Sequence, residues 1–350
     1  MVFPVAANYT NLPNGVFSPT VFSMKAQLAF RKKAVALSIF NSEYFGEIKN
    51  YGDTVRILKE PEIVVNTYRR GTQIVPQDLD DVDFQLTVDQ ANYFAFKLDD
   101  IEIQQAHQNW MSMATDRAAY KMADEMDENL LGYISGWQKD RVTGVWSVRT
   151  TYPGTLADTS AGTDELLSAN KITRAEIGGS SSDSLVIGTS GTYDLSPLQL
   201  IARIGRKMDL NNVDMDGRWL VIDPVFKERL LDENSKYVNN DLNLSQNAGG
   251  KAVNGKIGES IRGFTLYESN NLPKVGTGPG TADTDGSAAN YGILVAGHKS
   301  AAACAQQIDK TEKYRDPNSF ADIVRGMNMY GRKILRPEAL VTVRYNSNVG

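Results

Sequence analysis

The spacing of apolar and polar positions changes several times along the chain, and each change marks an element. Residues 1–17 are polar and broken by Pro4, Pro13 and Asn14-Gly15, with isolated aromatics at Phe3, Tyr9 and Phe17. So little local apolar density predicts an extended arm that needs a surface to lie on. Ser18-Pro19 supplies an N-cap and a first-turn proline, which predicts a helix to about Ser38. Thr54–Val65 and Phe84–Leu98 are then rich in Val, Ile, Phe and Thr and partly alternate, as at Val55/Ile57 and Phe84/Leu86/Val88. The segment between them, 66–81, is polar and turn-rich. Pro61 and Pro76 would interrupt central strands, so the pattern predicts an exposed two-stranded hairpin. An isolated ribbon is marginal in water, so a long one implies a cover, most simply another copy of the chain.

From about Glu102 to Ile134 the period becomes helical. Apolar or small residues recur three or four apart, among them Ile103, Ala106, Trp110, Met113, Ala118, Met122, Met126, Leu130 and Ile134. At 1.5 Å per residue this predicts a strut about 45–50 Å long. Residues 138–183 read as loops and short strands, followed by a strand at Ser184–Thr189. Ser196-Pro197 opens a helix to about Leu210, Arg218–Ile222 has a buried-strand pattern, and Pro224–Glu233 forms a short helix. Residues 235–260 and 274–290 read as flexible. Tyr291–Ala296 reads as a strand, Lys299–Gln306 as a short helix, and 320–345 as strand segments including Ile323–Gly331 and Ala339–Val343. There is no internal repeat.

Composition narrows the class. The 350 residues are 41% hydrophobic and 23% charged, values of an ordinary globular chain. No apolar stretch approaches membrane-helix length, and the N-terminus lacks a secretory pattern, so a cytosolic origin is expected and no membrane partner. A net charge of -5 argues against a dedicated nucleic-acid binder and suits a protein lying near DNA without adhering to it. The single cysteine, Cys304, excludes an intrachain disulfide; among Ala301, Ala302, Ala303 and Ala305 it reads as a small buried filler on a helix.

Candidate chemistry is sparse. The two histidines are His107, on the long helix, and His298, and no G-x-S-x-G motif accompanies them. Asp116, Asp124, Glu125, Asp127 and Glu128 mix with Arg117 and Lys121, which reads as a solvated or subunit-facing helix face rather than a metal site. Asn212–Gly217 with Asp223 matches part of a calcium loop, but an aspartate replaces the bidentate glutamate and a strand follows, so a turn is expected. Gly276, Gly278 and Gly280 neither follow a strand directly nor open a helix, so they read as a surface loop. No cofactor or metal is expected. The most interesting polar group is Tyr68-Arg69-Arg70-Gly71 at the hairpin tip, since paired arginines fit a carboxylate-bearing neighbour; the alternative is a solvated turn.

Several stretches together resemble the major capsid proteins of tailed bacteriophages, with the Hong Kong 97-like fold. Tyr51–Ile57 resembles the start of the family's E-loop; Tyr68–Thr72 and Leu86–Phe96 resemble its tip and return strand. Ala118–Leu131 resembles the spine helix. Gly217–Pro224 and Gly263-Phe264 to Pro273 resemble the axial (A) domain, and Val324–Gly331 with Arg336–Leu340 the strand that closes the peripheral (P) domain.

The resemblance implies an α+β fold divided as follows: N-terminal arm with helix at 1–46, E-loop hairpin at 47–100 and spine helix at 101–135. A mostly A-domain region would span 136–295, and P-domain closing strands 296–350. It implies hexamers and pentamers of an icosahedral shell around double-stranded DNA, a virion assembled in the host cytoplasm, and no enzymatic activity. The arm begins almost at Met1, so a separate scaffolding protein is expected, with a portal and possibly a decoration protein. Tyr68, Arg69, Arg70, Gly71, Asp116, Arg117, Asp124 and Glu125 are the expected inter-subunit contacts. Lys59 and Asn346 exist, but their context gives no support for a side-chain cross-link. The alternatives are an encapsulin-like cargo shell and, from another class, a hydrolase using His298 or the Asn212–Asp223 loop.

Overall fold

The structure, a computed structural model, describes residues 31–42, 54–58, 63–71, 73–74, 76–78, 83–101, 110–140, 143–148, 170–172, 174–178, 185–188, 194–231, 256–275 and 291–347. In chain order the elements are α1 (Ala36–Ile39), β1 (Thr54–Leu58), β2 (Asp83–Asp99), α2 (Trp110–Ser135), β3 (Trp137–Lys139), β4 (Trp146–Val148), β5 (Lys171–Ile172) and β6 (Leu185–Ile187). They continue with α3 (Pro197–Leu210), β7 (Arg218–Ile222), α4 (Pro224–Leu231), β8 (Lys256–Ile261), β9 (Phe264–Glu268) and β10 (Lys274–Val275). The last four are β11 (Tyr291–His298), β12 (Ala302–Arg315), β13 (Ala321–Ile334) and β14 (Leu340–Ser347). The class is α+β, as expected.

Two sheets carry the architecture. The larger has the order β5-β14-β11-β7-β9-β8, with β10 on β11 and β6 on β14. Its central strands are buried on both faces, which is why β7 reads as a continuous apolar run. The pleat sends alternate side chains to two different cores. Trp219, Val221, Ile293 and Val295 face the core built with Met126, Leu130, Leu131 and Ile134 of α2 and with Val35, Ile39 and Phe40. Leu220, Ile222, Leu294 and Ala296 face the opposite core, with Leu198, Ile201, Ile204 and Met208 of α3 and Phe226 of α4. The helix α3 starts where the sequence predicts. Ser196 and Gln199 form a reciprocal capping box, with Pro197 in the first turn.

The second sheet has the order β1-β2-β13-β12, all antiparallel. This corrects the picture of a free two-stranded ribbon. β1 does pair with β2, but β2 runs 17 residues and its second half pairs with β13, from Ala91↔Met329 to Asp99↔Ala321. Residues 63–71 lie beyond the paired part and carry no strand.

Three further expectations change. Lys299–Gln306 is a turn followed by the start of β12, not a helix, and Cys304 sits buried on that strand opposite Arg332. Lys256–Ile261, which overlaps the end of the 235–260 segment read as flexible, is β8. Of the helix expected at 18–38, residues 18–30 lie outside the described residues; 31–35 are non-helical and α1 is a single turn. The long helix is described from Trp110, and its expected start at 102–109 lies outside the described residues. Its 26 residues give a rod of about 39 Å. Among the described residues no helix is long and apolar enough to cross a membrane.

Candidate functional site

The tip between β1 and β2 is the most exposed apolar part of the described chain. Ile63, Val64, Val65, Tyr68 and Ile74 are 69%, 60%, 92%, 65% and 76% exposed. Such a run leaves apolar area in water that a monomer normally covers. Arg69 and Arg70 project beside it and have no ion-pair partner among the described residues. Gly71 turns the chain at φ +88°, a conformation that favours glycine.

The other expected contact residues lie on α2, where the structure separates them. Asp116 is exposed and pairs with Arg31 of its own chain, and that bond holds its carboxyl below the usual range. Arg117 lies over the Tyr120 ring at 5.0 Å. Glu125 is half-buried and lines an open groove between α2 and β2 with Tyr93, Phe94, Lys121 and Lys139. Asp124 is 7% exposed and engaged within the subunit: it accepts a hydrogen bond from Asn271 Nδ2 at 2.9 Å and lies 3.7 Å from both Lys32 and Lys121.

Sequence reasoning missed what surrounds Asp124. Asp127 Oδ1 accepts hydrogen bonds from the backbone N–H groups of Val35 and Ala36, both at 2.7 Å, and its Oδ2 accepts one from Asn271 at 2.8 Å. Burial pushes the Asp127 carboxyl above its ordinary pKa, against these hydrogen bonds. Lys32 Nζ bonds Asn271 Oδ1 at 2.8 Å and Glu128 at 3.2 Å, while Lys139 bonds Glu128 at 2.9 Å. Residues 31–41 thus form a strap along α2. The charged helix face signalled Asp127 and Glu128; nothing local signalled Asn271, 239 positions from Lys32.

The catalytic and metal candidates have structural partners. His298 Nε2 bonds the Asp216 carbonyl at 2.7 Å and its Nδ1 faces Ser300 Oγ at 2.8 Å, so the ring pins the turn before β7. Asp223 is buried; its Oδ1 accepts from Phe226 N at 3.1 Å, capping α4, and from the Tyr345 hydroxyl. Asp214 accepts from Asp216 N, as a turn residue does. Among the described residues no three metal-ligating side chains come together. Burial pushes the Cys304 thiol up to about 12, so it is inert. His107, Lys59 and Gly276, Gly278 and Gly280 lie outside the described residues, and Asn346 is fully buried.

No protein-family model and no curated protein matches the sequence. Solved structures do match, over nearly the whole chain. A chain of Mycobacterium phage Che8 is 24% identical with a TM-score of 0.63, covering 94% of this chain and 97% of its own. The capsid of Ralstonia phage GP4 is 13% identical with a TM-score of 0.64, covering 97% and 98%. The capsid structure of cyanophage P-SCSP1u is 17% identical with a TM-score of 0.61, covering 97% and 96%. The chain therefore has the fold of phage capsid proteins. Within that class, it is the tailed-phage major capsid fold that the sequence resemblance led us to expect.

Proposed function

We propose that this chain is the major capsid protein of a tailed double-stranded DNA phage, assembling as hexamers and pentamers of an icosahedral shell around the genome. The observation that carries this reading is end-to-end agreement with phage capsid structures, with no large unmatched segment on either side. The exposed apolar side chains Ile63, Val64, Val65, Tyr68 and Ile74 support it, because a subunit that buries them against neighbours gains contact area that it lacks alone. Many modest contacts repeated by symmetry give a stable shell. The role is structural rather than catalytic. A separate scaffolding protein, a portal and possibly a decoration protein are the expected partners, and the virion is the expected location.

In this reading 1–46, 47–100, 101–135, 136–295 and 296–350 correspond to arm, E-loop, spine helix, A-domain region and P-domain closing strands. Tyr68, Arg69, Arg70 and Gly71 reach a neighbouring subunit, and Asp116, Arg117 and Glu125 are further contact residues spread around α2, Asp116 on the strap side and Glu125 in the groove against β2. Asp124 is assigned to holding its own subunit together. The double variant Arg69→Glu/Arg70→Glu tests the tip. Its subunit should keep the native circular dichroism spectrum while its yield of sedimenting shells falls about tenfold through unfavourable charge contacts. A normal yield of shells would remove the tip from the assembly interface.

A further inference from the structure

The strap on α2 has two unequal halves. Arg31–Ala34 are exposed, and polar contacts hold this half: Arg31 to Asp116, Lys32 N to the Tyr120 hydroxyl at 2.7 Å, and Lys32 Nζ to Asn271 and Glu128. Val35, Ala36, Ile39 and Phe40 are nearly fully buried in the core. Asn41 then ties the strap to β12, through its N–H to Ala302 O at 2.9 Å and from Cys304 N to its own carbonyl at 3.1 Å. Exposed ion pairs contribute about 0–1 kcal/mol each, whereas a buried Val, Ile or Phe contributes about 1.5–3 kcal/mol. The two halves therefore open at very different free energies.

The weaker half reaches one distant point. Asn271 is 1% exposed and its amide is fully engaged, with Nδ2 on Asp124 and Asp127 and Oδ1 on Lys32. Asn271 N bonds Ser269 Oγ at 3.1 Å, and Ser269 N bonds the Ile222 carbonyl at the end of β7. The Ser269–Pro273 turn thereby links the larger sheet to the long helix, and Leu272 is buried in the same core as the strap. Removing Lys32 leaves Asp124, Asp127 and Glu128 facing Lys121, Lys139, the Asn271 amide and the Val35 and Ala36 N–H groups.

We propose that Arg31–Ala34 is a releasable lead, hinged on a Val35–Asn41 clasp anchored by buried Val35, Ala36, Ile39 and Phe40, whose lifting loosens the Ser269–Pro273 turn through Lys32 and Asn271. The device belongs to the single subunit and does not depend on the assembly reading. It gives a pull on Arg31 a route to the larger sheet, since the clasp stays fixed while the Asn271 side chain loses one of its three hydrogen-bond partners.

Amide hydrogen exchange by mass spectrometry on the unassembled full chain tests it. In Lys32→Met, peptides covering 31–34 and 269–273 should both exchange about five- to tenfold faster, with 35–41 unchanged. Arg31→Ser is the sharper comparison, because Arg31 touches Asp116 and not the turn. Coupling predicts that this variant accelerates 31–34 and 269–273 together. Acceleration of 31–34 alone, no change in either segment, or loss of protection in 35–41 along with the lead would each overturn the proposal.

Discussion

Asp127 accepts three hydrogen bonds in a buried place, and its titration has a definite sign. Burial holds its folded pKa above the ordinary 3.8, outweighing the bonds from Ala36, Asn271 and Val35. For a carboxyl with a raised folded pKa, the stability contribution is fully present below the ordinary value and is lost as pH rises through the folded value. Asp127→Asn removes this titration and turns an amide N–H₂ toward Asn271 Nδ2, a donor against a donor, at a cost of about 1–3 kcal/mol. Native protein should exceed the variant most at about pH 4, with the gap narrowing toward about pH 7, as read from urea midpoints. A gap that widened with pH would mean that the strap's N–H bonds outweigh burial. Lys32 behaves differently. Burial alone would lower its ammonium, but Glu128, Asp124 and Tyr120 together hold it above 10.5, so its contribution is constant at neutral pH and is lost only in alkali. At this scale the sequence showed the acidic helix face but not its occupants, because Lys32, Asp127 and Asn271 meet only through the fold.

Among the elements, the segment 301–305 shows how pattern reading went astray. Ala301-Ala-Ala-Cys-Ala has strong helix propensity, yet Ala302–Ala305 form the start of β12 because they lie buried against β13 and pair with it in register. Small residues suit that crowded place, so the composition was legible as burial and illegible as strand. The hairpin was legible as two strands from its alternation; its second partner was not, since β13 lies more than 200 residues downstream. β13 carries two glycines with different roles. At Gly331 an added Cβ would press on the backbone of Thr87 and Val88, beside a register shift between β13 and β2, whereas at Gly326 it would meet the Phe94 ring. Backbone cannot yield as a ring can. Gly331→Ala should therefore cost about 1–3 kcal/mol in urea unfolding, and Gly326→Ala less. The reverse order would show that Phe94 is the more rigid neighbour.

At the scale of the whole molecule, the larger sheet and its two cores form a self-sufficient body, while the tip at 63–71 projects apolar side chains that its own subunit does not cover. The tip was legible in the sequence as a turn-rich segment between two strands, but a neighbour was inferred there from a free two-stranded ribbon, which the pairing of β2 with β13 replaces. The α2 strut, the buried β7 and β11 strands and the capped α3 were legible, since each follows one periodicity. The three-way junction of strap, helix and turn was not, because it joins segments that share no pattern. Under the proposed function, the uncovered tip is an assembly contact. The most direct test is electron microscopy of the purified chain, expressed alone and with a candidate scaffolding protein. The account predicts closed icosahedral shells of uniform diameter. A folded chain that stays monomeric under those conditions, with no shells on the grid, would contradict it.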